Sequence, residues 1–442
     1  MTTEAIRSNA EVGDGAPVAA PAGVLLSAGA RGSIFLWLGG LIILLGFGGP
    51  TGWLIGQPIS FFLKNKLHLS AEQLAVFGAI THIPLYLGFL FGLARDRWNL
   101  FGLKDRGLLI VFGSAGAALY VLFAYAPPTY ASLLAAQLLI LIAFLFVLAA
   151  FNGVLASLGQ QHVMTGRTTV VWLVVSGLPA FAAMLLGGSL SDALEGKNAA
   201  EAARLLFLIG AGVMASVALY GLWRPRVVFD NLHVERPEVR FVDDIKRLAR
   251  SWPVWIALII WSLWTFAPGG LTPLQYFLQN HLHAKDSQWG EWNAIFGACF
   301  IPTYLLYGFL CTRFPLRKLL VWGTIVGVPQ FIPLLFTPTI GAALWAAAPI
   351  GLMGGLASAA YYDLIIRSCP RGLQGTMLMA AAAVYQIVYR GGDLLGTRLY
   401  DRFHGFTVCV IAITVVYALI LPTLLLVPKS ITATADGQIA KA

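Results

Sequence analysis

Gln57 to Gln73 reads QPISFFLKNKLHLSAEQ, and 215 positions further on Thr272 to Gln288 reads TPLQYFLQNHLHAKDSQ. Pro58, Phe62, Leu63, Asn65, Leu67, His68 and Gln73 recur without a gap as Pro273, Phe277, Leu278, Asn280, Leu282, His283 and Gln288. Downstream, Ile83-Pro84-Leu85-Tyr86-Leu87 is answered by Ile301-Pro302-Thr303-Tyr304-Leu305. An offset close to half of 442 residues makes the chain two related halves. Each copy stands where a long apolar run ends in Lys, Asn and His, so it marks the outgoing end of the first membrane helix of its half.

Composition agrees with a membrane setting. With 58% hydrophobic residues, 11% charged and a mean hydropathy of +0.78, the chain cannot cover itself with a polar surface. Apolar runs of the roughly twenty residues needed to cross hydrocarbon follow in twelve blocks, six from Ser33 to Leu222 and six from Pro253 to Val427. The expected fold is all-α, with twelve transmembrane helices in two pseudo-symmetric six-helix bundles. The expected domains are a disordered cytoplasmic tail (1–32), an N-terminal bundle (33–223), a linker (224–251), a C-terminal bundle (252–428) and a second tail (429–442). The first tail lacks a basic start and a compact apolar core, so no cleaved signal peptide is expected. In the linker, Phe241, Ile245 and Leu248 recur at helical spacing, which predicts an amphipathic helix on the membrane face.

Charge placement sets the orientation. With both termini inside, the inner loops carry seventeen Lys and Arg and the tails four, against seven outside, so the termini are expected to be cytoplasmic and the membrane the inner one. The net charge of +9 is spread over these short loops rather than along one face, and nucleic acid is not an expected partner. Four cysteines without a CxxC pair argue against a disulfide framework or a zinc site. No Walker loop, HExxH or GxSxG is present, so no enzyme activity and no cofactor are expected.

Only Arg390 among the bases lies within a span. Arginine at a helix centre costs about 2.5–3.5 kcal/mol on insertion scales and asks for a partner, a wet cavity or a role. Asp393, three residues on, can pair with it, and Tyr385, Gln386 and Tyr389 stand close by. At ~1.5 Å per residue Arg390 lies roughly 22 Å along its helix, so snorkelling is the alternative to solute binding. Asp393 and Asp363 are the candidates for proton coupling.

Matching interruptions point to a binding site. GFGGPTGW (Gly46 to Trp53) breaks the first span and APGGLTP (Ala267 to Pro273) the seventh. Paired breaks free backbone groups toward a cavity between the halves. Trp53, Gln57, Trp264 and Gln275, beside these breaks, are the expected lining for a planar polar solute.

The loop GLARDRWNLFGLKDRG (Gly92 to Gly107) resembles the signature of the major facilitator superfamily, through Gly92, Asp96, Arg97, Gly102, Lys104 and Arg106. The resemblance implies a carrier in which Asp96, Arg97 and Arg106 latch the inner face. The corresponding loop of the second half, Gly308 to Leu320, keeps Arg313, Arg317 and Lys318 but has lost the acid. More narrowly, YDLIIRSCPRGLQGT (Tyr362 to Thr376) and the exit of the first helix resemble the folate–biopterin transporter family. That likeness implies a proton-linked carrier of pterin- or folate-like anions, with Arg390 as carboxylate partner. The expected function is therefore alternating-access transport of a small polar or anionic solute by a monomer in the lipid bilayer, driven by protons. The rival is a membrane assembly or delivery factor that keeps the carrier fold and moves nothing.

Overall fold

The computed structural model describes residues 25–69, 71–232, 241–403 and 405–438. Most of the tail expected over 1–32 therefore lies outside the described residues, as do the middle of the linker and the last residues of the chain. The described residues form twelve crossings. The first pairs Ala28–Gly48 with Gly56–Asn65, and the second runs through three helical pieces from Ala71 to Arg97. Asp105–Ala124, Tyr130–Gln161, Thr165–Glu195 and Ala199–Leu222 complete the first bundle. The seventh pairs Trp252–Thr265 with Thr272–Tyr276 and a π-turn over Phe277–His281. Asp286–Leu310, Leu316–Gly327 with Ile332–Phe336, Ile340–Ser368, Gln374–Phe403 and the segment opened by Phe406–Ala418 complete the second bundle.

Ten of these helices are long and apolar enough to cross a membrane by length and composition. The seventh falls short because its longest piece is Trp252–Thr265, and the eleventh, Gln374–Phe403, carries polar residues at its middle. Side-chain caps start several spans: Thr129 and Ser132 form a capping box, and Asn198 and Thr339 accept from backbone N–H groups three residues on. Between spans small residues let backbones approach, as where Gly113 meets Ala218 and Gly323 meets Ala357. Each bundle has its own apolar core.

The repeated stretch folds twice into the same cap. Leu67 N–H donates to the Phe62 carbonyl at 3.3 Å and Leu69 N–H to Leu63 at 3.2 Å; Leu282 donates to Phe277 at 3.2 Å and Ala284 to Leu278 at 2.9 Å. In both, the matched histidine turns the chain with a left-handed backbone, φ 53° at His68 and at His283. Histidine is among the residues that tolerate this region.

Both interruptions are real breaks. Backbone groups freed in hydrocarbon cost several kcal/mol each unless they find partners, and the two breaks find them differently. In the first, Gly52 N–H donates to Gly49 and Gly56 N–H to Gly52, at 3.0 and 2.7 Å. In the second, Gly269 and Gly270 both donate to Ala267, and the restarted helix receives a cap from another span, described next.

Candidate functional site

Loops rich in Lys and Arg share one end of the molecule, here termed the basic face. There the bundles are pressed together. Gly92 of the second span leaves no room for a Cβ against Gly375 and Thr376 of the eleventh, and Gly88 packs tightly against Met379. With the backbones in contact, Asp96 reaches the start of the eleventh span. It accepts from Gly375 N–H at 3.1 Å, Thr376 N–H at 2.7 Å and the Thr376 hydroxyl at 2.6 Å. It is the N-cap of a helix in the opposite bundle, where orphan N–H groups and the helix dipole both favour a carboxylate. Arg95 neutralises it at 2.7 Å and forks onto Asp105, with Nη2 at 2.8 Å from Oδ2. Arg95 and Asp96 are 2% and 1% exposed, so their charges are compensated within the cluster rather than by water.

A second set of bonds joins the fourth and fifth spans to the tenth. Gln160 donates to the carbonyls of Ile366 and Cys369, both at 2.8 Å, and accepts from Gln374 at 3.0 Å. Arg367 donates to the Thr165 hydroxyl at 3.0 Å. Asp363, fully buried, accepts from Arg367 and, at 2.7 Å, from the Tyr307 hydroxyl.

The eleventh span records where this contact stops. From Gln374 to Met379 every residue is buried; beyond Ala383, within the span, only Gly392 and Gly396 are. Those two pack against Phe266, Ala267 and Pro268 at the second break. The bundles are thus sealed along the basic half, while along the other, the parted half, most of the eleventh span is exposed or half-buried.

In the parted half, Tyr385 stacks on Tyr389 with ring centroids 5.5 Å apart and lies 6.3 Å from Trp261, which itself meets Tyr362 at 6.0 Å. Arg390 is exposed beside them. Gln386 is half-buried one turn before it. The expected Arg390–Asp393 pair does not form. Asp393 accepts from Thr272 N–H at 2.9 Å and from its hydroxyl at 3.0 Å, capping the restarted half of the seventh span. A carboxylate that satisfies two freed groups at a break has no need of the arginine, and among the described residues Arg390 has no ion-pair partner.

The other expected residues divide. Trp53 is exposed, and Gln57 is half-buried with its Oε1 unpartnered near Gly187. Gln275 is half-buried beside the Asp393 cap. Trp264 is removed from any cavity: it stacks on Tyr417 at 4.6 Å and meets Tyr361 edge-on in the core of the second bundle. Asp96 crosses between bundles, and the two arginines expected to latch with it hold other partners. Arg97 pairs with Asp244 of the linker helix Phe241–Arg250 at 2.6 Å. Arg106 stays in its own bundle, donating to the Gly221 and Leu222 carbonyls at the end of the sixth span. Arg95, Asp105, Gln160 and Thr165 were not expected to take part. Arg95 and Asp105 lie inside the quoted loop, but spacing alone does not say which of its charges turn inward.

The sequence profile of the Major Facilitator Superfamily matches residues 164–392, just over half of the chain. No curated protein matches the sequence. Among solved structures, the E. coli transporter FucP in its outward conformation superposes with a TM-score of 0.65 at 16% identity, covering 89% of this chain and 98% of that one. The human organic anion transporter MFSD10 (TETRAN) gives 0.59 at 14% identity, covering 90% and 100%. A bacterial homologue of the iron transporter ferroportin in an outward-facing state gives 0.62 at 15%, covering 89% and 98%. At these identities the likeness is one of fold.

Proposed function

The chain belongs to the Major Facilitator Superfamily, and from that premise we propose a secondary carrier that moves a small planar organic anion by alternating access. Its basic face is cytoplasmic, as the bias of Lys and Arg toward that face favours. The seal along that face and the parting beyond Ala383 then correspond to a state open to the outside.

Arg390 carries the substrate class. On a helix of 3.6 residues per turn, Thr376, Met379, Ala383, Gln386 and Arg390 fall on one stripe. The first three residues of that stripe seal against the second span. Its continuation brings Gln386 and Arg390 into the parted half, with Tyr385, Tyr389 and Trp261 on the adjoining flank. A cation with donors in a plane and no ion-pair partner among the described residues, beside stacked rings, suits a carboxylate attached to a flat ring system. The likeness of Tyr362 to Thr376 to folate–biopterin transporters makes pterins and folates the first solutes to test. Solved relatives in fold include a fucose:proton symporter and an organic anion transporter, and both solute types belong in the same panel.

Proton coupling is assigned to Asp393. Ionised, it accepts both bonds from Thr272; protonated, it gives up one acceptor and loosens the outer half of the seventh span. Asp363, expected to share this role, is instead committed to Tyr307 and Arg367 and holds the basic face.

The test is uptake into proteoliposomes of a pterin, folate, an aromatic carboxylate and fucose by the wild-type chain, Arg390→Ala and Arg390→Lys. Loss of a charge-assisted bond of about 1.5–3 kcal/mol predicts that Arg390→Ala weakens apparent affinity for the transported anion by roughly ten- to a hundredfold. Arg390→Lys is expected to recover part of it. Equal uptake by all three, in protein of unchanged thermal stability, removes the assignment.

A further inference from the structure

Beyond the twelfth span the chain turns back across the basic face. Lys429–Thr432 forms a helical turn, and the segment after it docks between the bundles. Arg367 donates to the Thr434 carbonyl at 2.9 Å, Asp436 N–H to the Cys311 carbonyl at 2.8 Å, and Gly437 N–H to the Val163 carbonyl at 2.6 Å. The Asp436 side chain accepts from Gly166 N–H at 3.2 Å and from Arg167 Nε at 2.7 Å. Asp436 is 3% exposed. The tail thus holds the tenth span and the end of the eighth on one side, and the loop and helix start of the fifth on the other.

This arrangement repeats the Asp96 contact across the pseudo-symmetry of the fold. The fifth span starts at Thr165 and the eleventh at Gln374, so Gly166 and Gly375 are each the second helical residue. Each offers its N–H to a carboxylate attached to the other bundle, at 3.2 and 3.1 Å, and each carboxylate has an arginine at 2.7 Å. Neither position has room for a Cβ: at Gly375 it would meet Arg95 and Asp96, at Gly166 Cys311 and Asp363. The loop after the eighth span, Cys311 to Pro315, carries no acid to fill the role that Asp96 fills after the second.

We propose that the C-terminal tail is the second inter-bundle latch, with Asp436 supplying the carboxylate that the second-half loop lacks, so that the tail must undock before the basic face can open. The purpose of such a latch rests on the alternating-access reading; its test does not, because the readout needs no solute. Cys311 and Cys369 are buried at the closed face, and Cys409 is buried in the core of the second bundle. In a Cys299→Ser background, labelling of these three thiols by a water-soluble maleimide is followed by peptide mass spectrometry on protein in nanodiscs.

Asp436→Ala, and independently truncation after Ala433, are expected to label about tenfold faster at both Cys311 and Cys369, the effect of losing a charge-assisted contact. Cys409 should stay protected in both. Asp436→Asn, which keeps an acceptor for Gly166 but loses the charge opposite Arg167, is expected to fall between the parent and Asp436→Ala. Unchanged labelling in the alanine and truncated chains overturns the proposal. So does acceleration at Cys311 alone, which would make the tail a local cover, and so does acceleration at Cys409, which would report unfolding. Failure to transport any solute while both gate thiols respond would instead count against the carrier reading.

Discussion

Two acids cap helices of the opposite bundle at the basic face, and they reach it by different routes. Asp96 comes from the loop after the second span, where Arg95 and Asp105 surround it within the same stretch of sequence. Asp436 comes from the tail, and Arg167 and Arg367, from two different bundles, converge on the docked segment. The receiving ends are alike: a glycine one residue into a helix, with an N–H that has no partner in its own span. Duplication therefore constrained the receptor more tightly than the donor. A helix start needs an acceptor of the right charge at about 3 Å, and it is indifferent to where along the chain that acceptor is attached.

The inequality of the two contacts can be broken experimentally. The largest effect is expected from Asp96→Ala, which leaves Arg95 with only Asp105 in a buried site and removes the cap of the eleventh span. Breaking a buried, bonded pair costs about 3–5 kcal/mol, so the closed state should weaken by on the order of a hundredfold or more, read as Cys369 labelling and a lower thermal midpoint. Asp436→Ala should do less, about tenfold, because one side of its site borders water at Arg167. If the tail variant matches or exceeds Asp96→Ala, the ranking of the two contacts is wrong.

A smaller effect separates them by pH. Burial, and then the nearby Asp363, push the Asp436 carboxyl up to about 6 against the opposing pull of Arg167 and Arg367, with Cys311 and Tyr307 also facing the cluster. The docked tail therefore holds a proton that a free tail, titrating near the ordinary 3.8, would release. Docking strengthens as pH falls through that window and weakens as pH rises through 6. Between about pH 7.5 and 5.5 the closed state should gain roughly fourfold by linkage, visible as slower Cys311 labelling. Asp436→Asn should abolish this response, and a response of the opposite sign would show that the Arg167 attraction outweighs burial.

The smallest effect should be equal in the two halves. His68→Gly and His283→Gly relieve the same left-handed strain, and each should raise stability by about 0.5–1 kcal/mol, less the entropy glycine adds to the unfolded chain. A marked difference between them in thermal unfolding would mean that the two caps carry different loads.

The architecture was legible because its signals are local and repeated. The twin of Gln57 to Gln73 located the halves, and glycines with prolines located both breaks, since few other residues interrupt a helix in hydrocarbon. Arg390 and the Tyr385 to Tyr389 cluster could be singled out because charge is rare inside a span. What could not be read was partnership. Arg390 and Asp393 are three apart on one helix, yet the carboxylate turns to Thr272, 121 positions away in sequence. Trp264 and Trp261 are one turn apart and look alike in sequence, but one is packed in a bundle core and the other meets the aromatic stack. Asp436 gave no sign at all, lying in a short polar tail without periodicity.

The border between the sealed and parted halves of the eleventh span falls at Ala380 to Ala383, a run of four alanines. Alanine has the highest helix propensity of any residue while presenting almost no side chain. A rod that stays rigid across its bearing point, and is smooth there, transmits rotation without bending. On the proposed alternating-access cycle, prying its inner end away from Gly88 and Gly92 would carry Arg390 toward the second span, so that freeing one mouth shuts the other.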